Sequence, residues 1–226
     1  MKVVFALWGS GLEPALLDNG LRAALRAAGA SRLQVNVDDA EVASAKLRIS
    51  TFDAPVRAVV SVWTDKDPAP VSGLLAGIAE LSAGWEVEER VQLAPPETAD
   101  GVRCPALAQV VFLRIPADLG EEEWRHRWQG LHTSVAIETQ ATFGYVQNRV
   151  LRAVAGDHRV DAVVEELFPM AAMTDAHAFY GSGGDDGELR RRMSRMIDSV
   201  TSFGAHQNLD VVPTSRYVYE LTSEEA

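Results

Sequence analysis

The chain has 226 residues, 47% of them hydrophobic and 23% charged, a composition that can bury a core and lies far from that of a disordered chain. With 21 Lys+Arg against 32 Asp+Glu the formal net charge is −11, which argues against nucleic acid as a partner, because binding it rests on neutralising phosphates, and equally against anionic membrane surfaces. The single cysteine, Cys104, rules out an intrachain disulfide framework and makes the cytoplasm the default location.

The opening MKVVFALWGSGLE is interrupted by Glu13 before it reaches signal-peptide length, and no stretch approaches the ~18 apolar residues of a membrane span. Val3 to Trp8 therefore reads as a first strand. A helix is expected over Glu13 to Ala28, ending at Gly29, then a strand over Arg32 to Val37 with alternating Leu33, Val35 and Val37. After a loop from Asp38 to Ala54, the β-rich run Val56 to Trp63, a helix over Val71 to Leu81 and a strand over Trp85 to Leu93 complete a βαββαβ order. The segment APPETADGVRCP, Ala94 to Pro105, is a proline-rich connector.

The order then repeats. A strand over Ala108 to Ile115, a helix over Gly120 to Gln140, a strand over Thr142 to Val154 and a strand over Val160 to Phe168 are followed by helical pieces at Met170 to Phe179 and Glu188 to Val200. The loop GSGGDDG separates the two pieces, and strands at Phe203 to Val212 and Arg216 to Leu221 close the chain. Two such units, an N-terminal half over residues 1–98 and a C-terminal half over 106–226, predict two antiparallel sheets, each with helices on one face. Val3 to Trp8 and Val56 to Trp63 are apolar on both parities, so the second face of each sheet must also be covered, most simply by the other half. The expected fold is α+β: tandem ferredoxin-like repeats forming a two-sheet α+β barrel within one chain. Such a barrel is self-complete, which makes a homodimer optional.

The most informative stretch is Asp118 to Val150. Asp118 with Glu121, and the acidic run Glu121 to Glu123, suit a helix N-terminus. At 100° per residue Trp124, Trp128, Leu131, Val135 and Thr139 share one stripe, His132 sits on its flank and His126 points away. In the following strand Phe143, Tyr145, Gln147 and Arg149 share a face. His132 is the candidate acid/base, since an imidazole titrates near neutral pH. Tyr145 and Gln147 are candidates to orient a ligand oxygen, and Trp128 to stack on an aromatic ligand, although tryptophans at i, i+4 are more often core.

Other patterns carry less. Glu123-x-x-His126 has di-iron spacing but lies off the apolar stripe, and reads as a solvated salt-bridge face. Gly183-x-x-Asp186-Gly187 resembles the GxxDG of haem peroxidases yet sits in a glycine and aspartate loop. No C-x-x-C, H-E-x-x-H, G-x-S-x-G or EF-hand pattern occurs, so neither a metal nor a cofactor is expected.

The run W-x3-W-x3-H followed by Gly144-Tyr145-Val146-Gln147-Asn148-Arg149-Val150, with the later VEELF, MAAMTDAHAF and MIDSV, resembles EthD-domain proteins of the dimeric α+β barrel superfamily. The likeness covers roughly Leu107 to Leu221. It implies a ferredoxin-like fold with a small-molecule pocket between sheet and helices, and a link to oxidative or cofactor-free cyclisation and dehydration chemistry on aromatic, polyketide-like compounds. It also makes Glu165 and Asp198 candidates to orient a histidine. Three readings stay open on sequence: an enzyme acting on a hydrophobic small molecule through His132, a protein that only binds such a ligand, and a silent stress or assembly protein whose cavity is filled by side chains.

Overall fold

A computed structural model describes residues 1–221. Its eight strands are β1 (Lys2–Trp8), β2 (Ala30–Val37), β3 (Ala58–Thr64), β4 (Leu81–Leu93), β5 (Leu107–Leu113), β6 (Gly144–Ala155), β7 (Ala162–Phe168) and β8 (Leu209–Glu220). They form one closed barrel in the order β1-β3-β2-β8-β5-β7-β6-β4, with every neighbouring pair antiparallel. Within this ring β4-β1-β3-β2 and β8-β5-β7-β6 have the same order, and β2–β8 and β4–β6 join the two sets. Closure removes every sheet edge, which leaves no unpaired ladder for another chain to extend.

The apolar residues on both parities go where the alternation sends them. Val3, Phe5 and Leu7 of β1 face outward with Leu33, Val35, Val60 and Val62, under α1 (Leu12–Leu16), α2 (Asn19–Ala27) and α3 (Ala69–Ala76). Val4, Ala6 and Trp8 face the lumen with Trp85, Val110, Phe112, Val163 and Val212. A third cluster packs the outer face of β5–β7 against the helices of the second half.

Three local expectations change. The helix over Glu13 to Ala28 is two helices, because Asp18 turns extended and its carboxylate accepts from Gly20 N at 2.7 Å and Leu21 N at 3.3 Å, starting α2 anew. The helix over Val71 to Leu81 is shorter, with α3 ending at Ala76 and Leu81 opening β4. Of the two closing strands, the first begins only at Leu209, after a 3-10 turn at Ala205–Gln207, and continues into the second as one strand, β8, running through Pro213. Val211 N donates to Ile49 O, so the nitrogen of Pro213, two residues on, turns to the side where pairing with β2 begins only at Ser215. The missing N–H costs no ladder bond.

Gly84 pairs with Phe5 across β4 and β1, and a Cβ there would lie 2.5 Å from the Phe5 ring. Gly84→Ala is expected to destabilise the fold by about 1–3 kcal/mol through forced repacking, seen as a lower urea midpoint with unchanged slope.

The lumen is not apolar throughout. At the end opposite Trp8, Lys2 Nζ bonds Glu165 Oε1 at 2.7 Å and Glu89 Oε1 at 2.9 Å, Asn148 Nδ2 donates to Glu165 Oε1 at 2.9 Å, and Gln34 donates to the other Glu165 oxygen. Arg216 Nε in turn donates to Gln34 Oε1 at 3.0 Å. Burial pushes the Glu165 carboxyl up, but Lys2, Gln34 and Arg216 together hold it below the usual carboxylate range. Glu165 thus belongs to the lumen, not beside a histidine.

Candidate active site

The helix after β5 begins as α4 (Glu121–Arg125), continues as a π-helical segment (His126–His132) and ends as α5 (Thr133–Thr139). The wider π turns stretch the repeat to four residues: Trp124, Trp128, His132 and Ala136 are all buried, while Leu131, placed in the stripe by a uniform 100° step, is 54% exposed. His132 is therefore moved from the flank into the wall that faces the sheet. Such π segments recur at functional sites because they re-aim side chains. His126 is exposed, and Glu123 pairs with Arg127 at 2.6 Å on the solvent side.

Between this wall, α6 (Ala176–Tyr180), α7 (Asp186–Ser202) and the outer face of β5–β7 lies a cavity of about 190 Å³. His132, Trp128, Tyr145, Glu166 and Gln109 line it among Phe179, Tyr180, Met196 and Phe203. Its rim comes from the other half of the chain: Leu47 and Ile49, in the loop after β2, lie alongside β8. The loop is tied there by Lys46 N to Met173 O at 2.9 Å and by the Ile49–Val211 bridge.

The polar floor is a row across three strands, since Tyr145 on β6 is directly opposite Glu166 on β7, which is opposite Gln109 on β5. Gln147 is not in the lining. It is fully buried one step along β6, donating to Tyr145 Oη at 3.2 Å and Thr133 Oγ1 at 2.9 Å, and so holds the phenol and the helix together. Trp124 and Trp128 pack with ring centroids 4.8 Å apart, and only Trp128 reaches the cavity.

His132 Nδ1 meets Ser199 Oγ at 2.9 Å and its ring packs 4.9 Å from Phe203, leaving Nε2 for the cavity. Ser199, not Asp198, is its partner; Asp198 is exposed on α7. Burial lowers the His132 pKa to about 4, so the imidazole is neutral at pH 7. Tyr145 moves the opposite way, raised first by burial and then by the Glu166 charge, and stays a protonated donor. Glu166 was not singled out by sequence reasoning. Its carboxyl, 9% exposed, is raised to about 7 by burial alone. What ties it to the site is its cross-strand relation to Tyr145, which depends on register.

Among the described residues no three His, Cys, Asp or Glu side chains converge in a way that would hold a metal ion. The aspartates of the glycine-rich loop make local contacts, Asp185 capping α7 and Asp186 lying 3.3 Å from the His177 ring nitrogen. Among the same residues no helix is long and apolar enough to cross a membrane.

Closed antiparallel ring, outer helices and a pocket between them define the class as a dimeric α+β barrel fold with both halves in one chain. The chain is similar to an anthrone oxidase-like protein, with a TM-score of 0.60 and 9% identity over 100% of this chain and 94% of that one. It is also similar to a candidate monooxygenase from Fusobacterium nucleatum, with a TM-score of 0.50 and 11% identity over 97% of this chain and 93% of that one. At such identities the likeness is one of fold. No protein-family model matches the chain, and no curated protein matches it in sequence.

Proposed function

We propose that the protein is an EthD-like enzyme acting on a hydrophobic aromatic small molecule, with the chemistry in the cavity beneath the π-helical segment. One observation carries this reading: a single apolar cavity gathers a neutral imidazole, a protonated phenol and a titrating carboxyl, from three different elements, with the imidazole Nε2 free. Apolar walls with a few convergent polar groups of displaced pKa are the pattern of a small-molecule site. In this reading His132 meets the substrate oxygen through Nε2, Tyr145 donates to it, Gln147 fixes the Tyr145 hydroxyl and Trp128 forms a ring-facing wall. If the step is oxidative and uses dioxygen, the substrate supplies the electrons.

The cavity also limits size. An engineered apolar cavity of about 150 Å³ holds benzene, so about 190 Å³ fits a substituted single ring, and a larger fused-ring substrate requires the Leu47 and Ile49 rim to move. The test is an oxygen-uptake and product screen of hydroxylated aromatics followed by variants. His132→Ala is expected to lower turnover on the order of 100-fold, the usual worth of one positioned acid/base or hydrogen-bonding group. His132→Gln retains a donor and recovers part of the loss if the ring acts through its hydrogen bond, and none if it must carry the proton. His126→Ala, on the exposed side, leaves turnover unchanged. Wild-type turnover by both His132 variants would remove this residue from the chemistry and favour a protein that only binds its ligand.

A further inference from the structure

Resting on the pocket reading above, we infer that Glu166 is the proton acceptor of this cavity and that its ligand is a compact, neutral phenol or enol whose O–H is given to the Glu166 carboxylate. The step is a proton transfer. The substrate O–H bond breaks with its electron pair left on oxygen, and a new O–H bond forms on Glu166.

The surroundings of Glu166 select this class. The titratable groups facing it are His132 from the π-helical segment, Tyr145 from β6 and Tyr180 from α6, and no lysine or arginine is among the described lining residues. A buried carboxylate with neither counter-ion nor hydrogen bond costs stability, and Glu166, 9% exposed at the cavity wall, has no hydrogen-bond or ion-pair partner among the described residues, burial being the one cause that raises its pKa to about 7. Such a group is retained where a bound molecule supplies the missing donor. An anionic ligand would face Glu166 with no cation to balance it. An ammonium ligand would satisfy Glu166 but only donates, and would leave the amide N–H of Gln109 and the phenol O–H of Tyr145 without an acceptor. A hydroxyl both donates and accepts, so it matches a carboxylate acceptor set beside the Tyr145 and Gln109 donors. With a pKa near neutrality the carboxylate is also well matched to accept a proton at physiological pH and return it later, a capacity that His132, at about 4, does not have.

Three para-substituted toluenes separate the alternatives: p-cresol, p-xylene and 4-methylbenzylamine, titrated by calorimetry or ligand-observed NMR at about pH 8 and about pH 5.5, either side of the Glu166 value. The wild type at the higher pH is expected to bind p-cresol about tenfold or more above p-xylene, the margin of one charge-assisted hydrogen bond, and the margin should narrow at the lower pH. Glu166→Gln should keep its p-xylene affinity, which shows an intact cavity, and lose the p-cresol preference at both pH values. Equal binding of p-cresol and p-xylene by the wild type, a preference that survives Glu166→Gln, or tighter binding of the amine would each overturn the assignment while leaving the pocket reading in place. If none of the three probes binds, the pocket reading itself falls and takes this inference with it.

Discussion

Lys2→Met is expected to destabilise the protein by about 3–5 kcal/mol, the usual cost of removing one partner from a buried ion pair, and for a chain of this size to lower Tm on the order of 10 °C. The reason is the lumen. The Lys2 side chain is 3% exposed and Glu165 12%, so the carboxylate left behind keeps the amides of Gln34 and Asn148 and the more distant charge of Arg216 but loses its one direct ion-pair partner on the lumen side. Its pKa, now held below the ordinary value chiefly by Lys2 against the opposing effect of burial, would rise. A lowered carboxylate pKa contributes stability that is present above the unfolded value and lost as pH falls through the folded one. The penalty of Lys2→Met should therefore shrink in acid. Adding Glu165→Gln to Lys2→Met should restore more than half of the loss, because the unpaired charge is gone. Additive losses in this double-mutant cycle would mean that the two side chains are not coupled.

The second large effect is a pair of opposed pH dependences hidden in the wild type. The Glu166 pKa is raised from 4.5 to about 7, so its contribution to stability is complete below pH 4.5 and is lost as pH rises through about 7. The His132 pKa is lowered from 6.5 to about 4, so its contribution is complete above pH 6.5 and is lost as pH falls through about 4. Displacements of this size each correspond to about 3 kcal/mol, and between pH 4.5 and 6.5 they run in opposite directions and largely cancel. Glu166→Gln should expose the His132 term, giving stability that climbs with pH relative to wild type, whereas His132→Gln should expose the Glu166 term and fall. Urea unfolding across this window reads both as difference curves. Variant curves parallel to the wild type would show that neither group is buried as described.

Much of the architecture was legible in residue order alone. Apolar residues on both parities of Val3 to Trp8 and Val56 to Trp63 required two covered faces, and the repeated βαββαβ order placed those faces against each other in the closed ring. The approach of Trp128 and Tyr145 to one cavity also followed from periodicity, because a helix stripe and a strand face each turn toward the layer between them. Glu165 and Glu166 could not be told apart in this way. Adjacent strand residues point to opposite faces, yet Val163 and Leu167 on one parity and Val164 and Phe168 on the other are equally apolar. Only the pairing of β7 with β5 and β6, in one register, sends Glu165 to Lys2 and Glu166 to the cavity. The partner of His132 was hidden for the same kind of reason. The apolar stripe of α7, Leu189, Met193, Met196 and Val200, already turns Asp198 toward solvent, but that the flanking Ser199 meets His132 is decided only by how α7 packs against the π-helical segment. Local sequence dictates which residues alternate and which repeat, since those periods are properties of the backbone. Which face meets which neighbour depends on contacts between residues far apart in the chain, and that choice belongs to the tertiary structure.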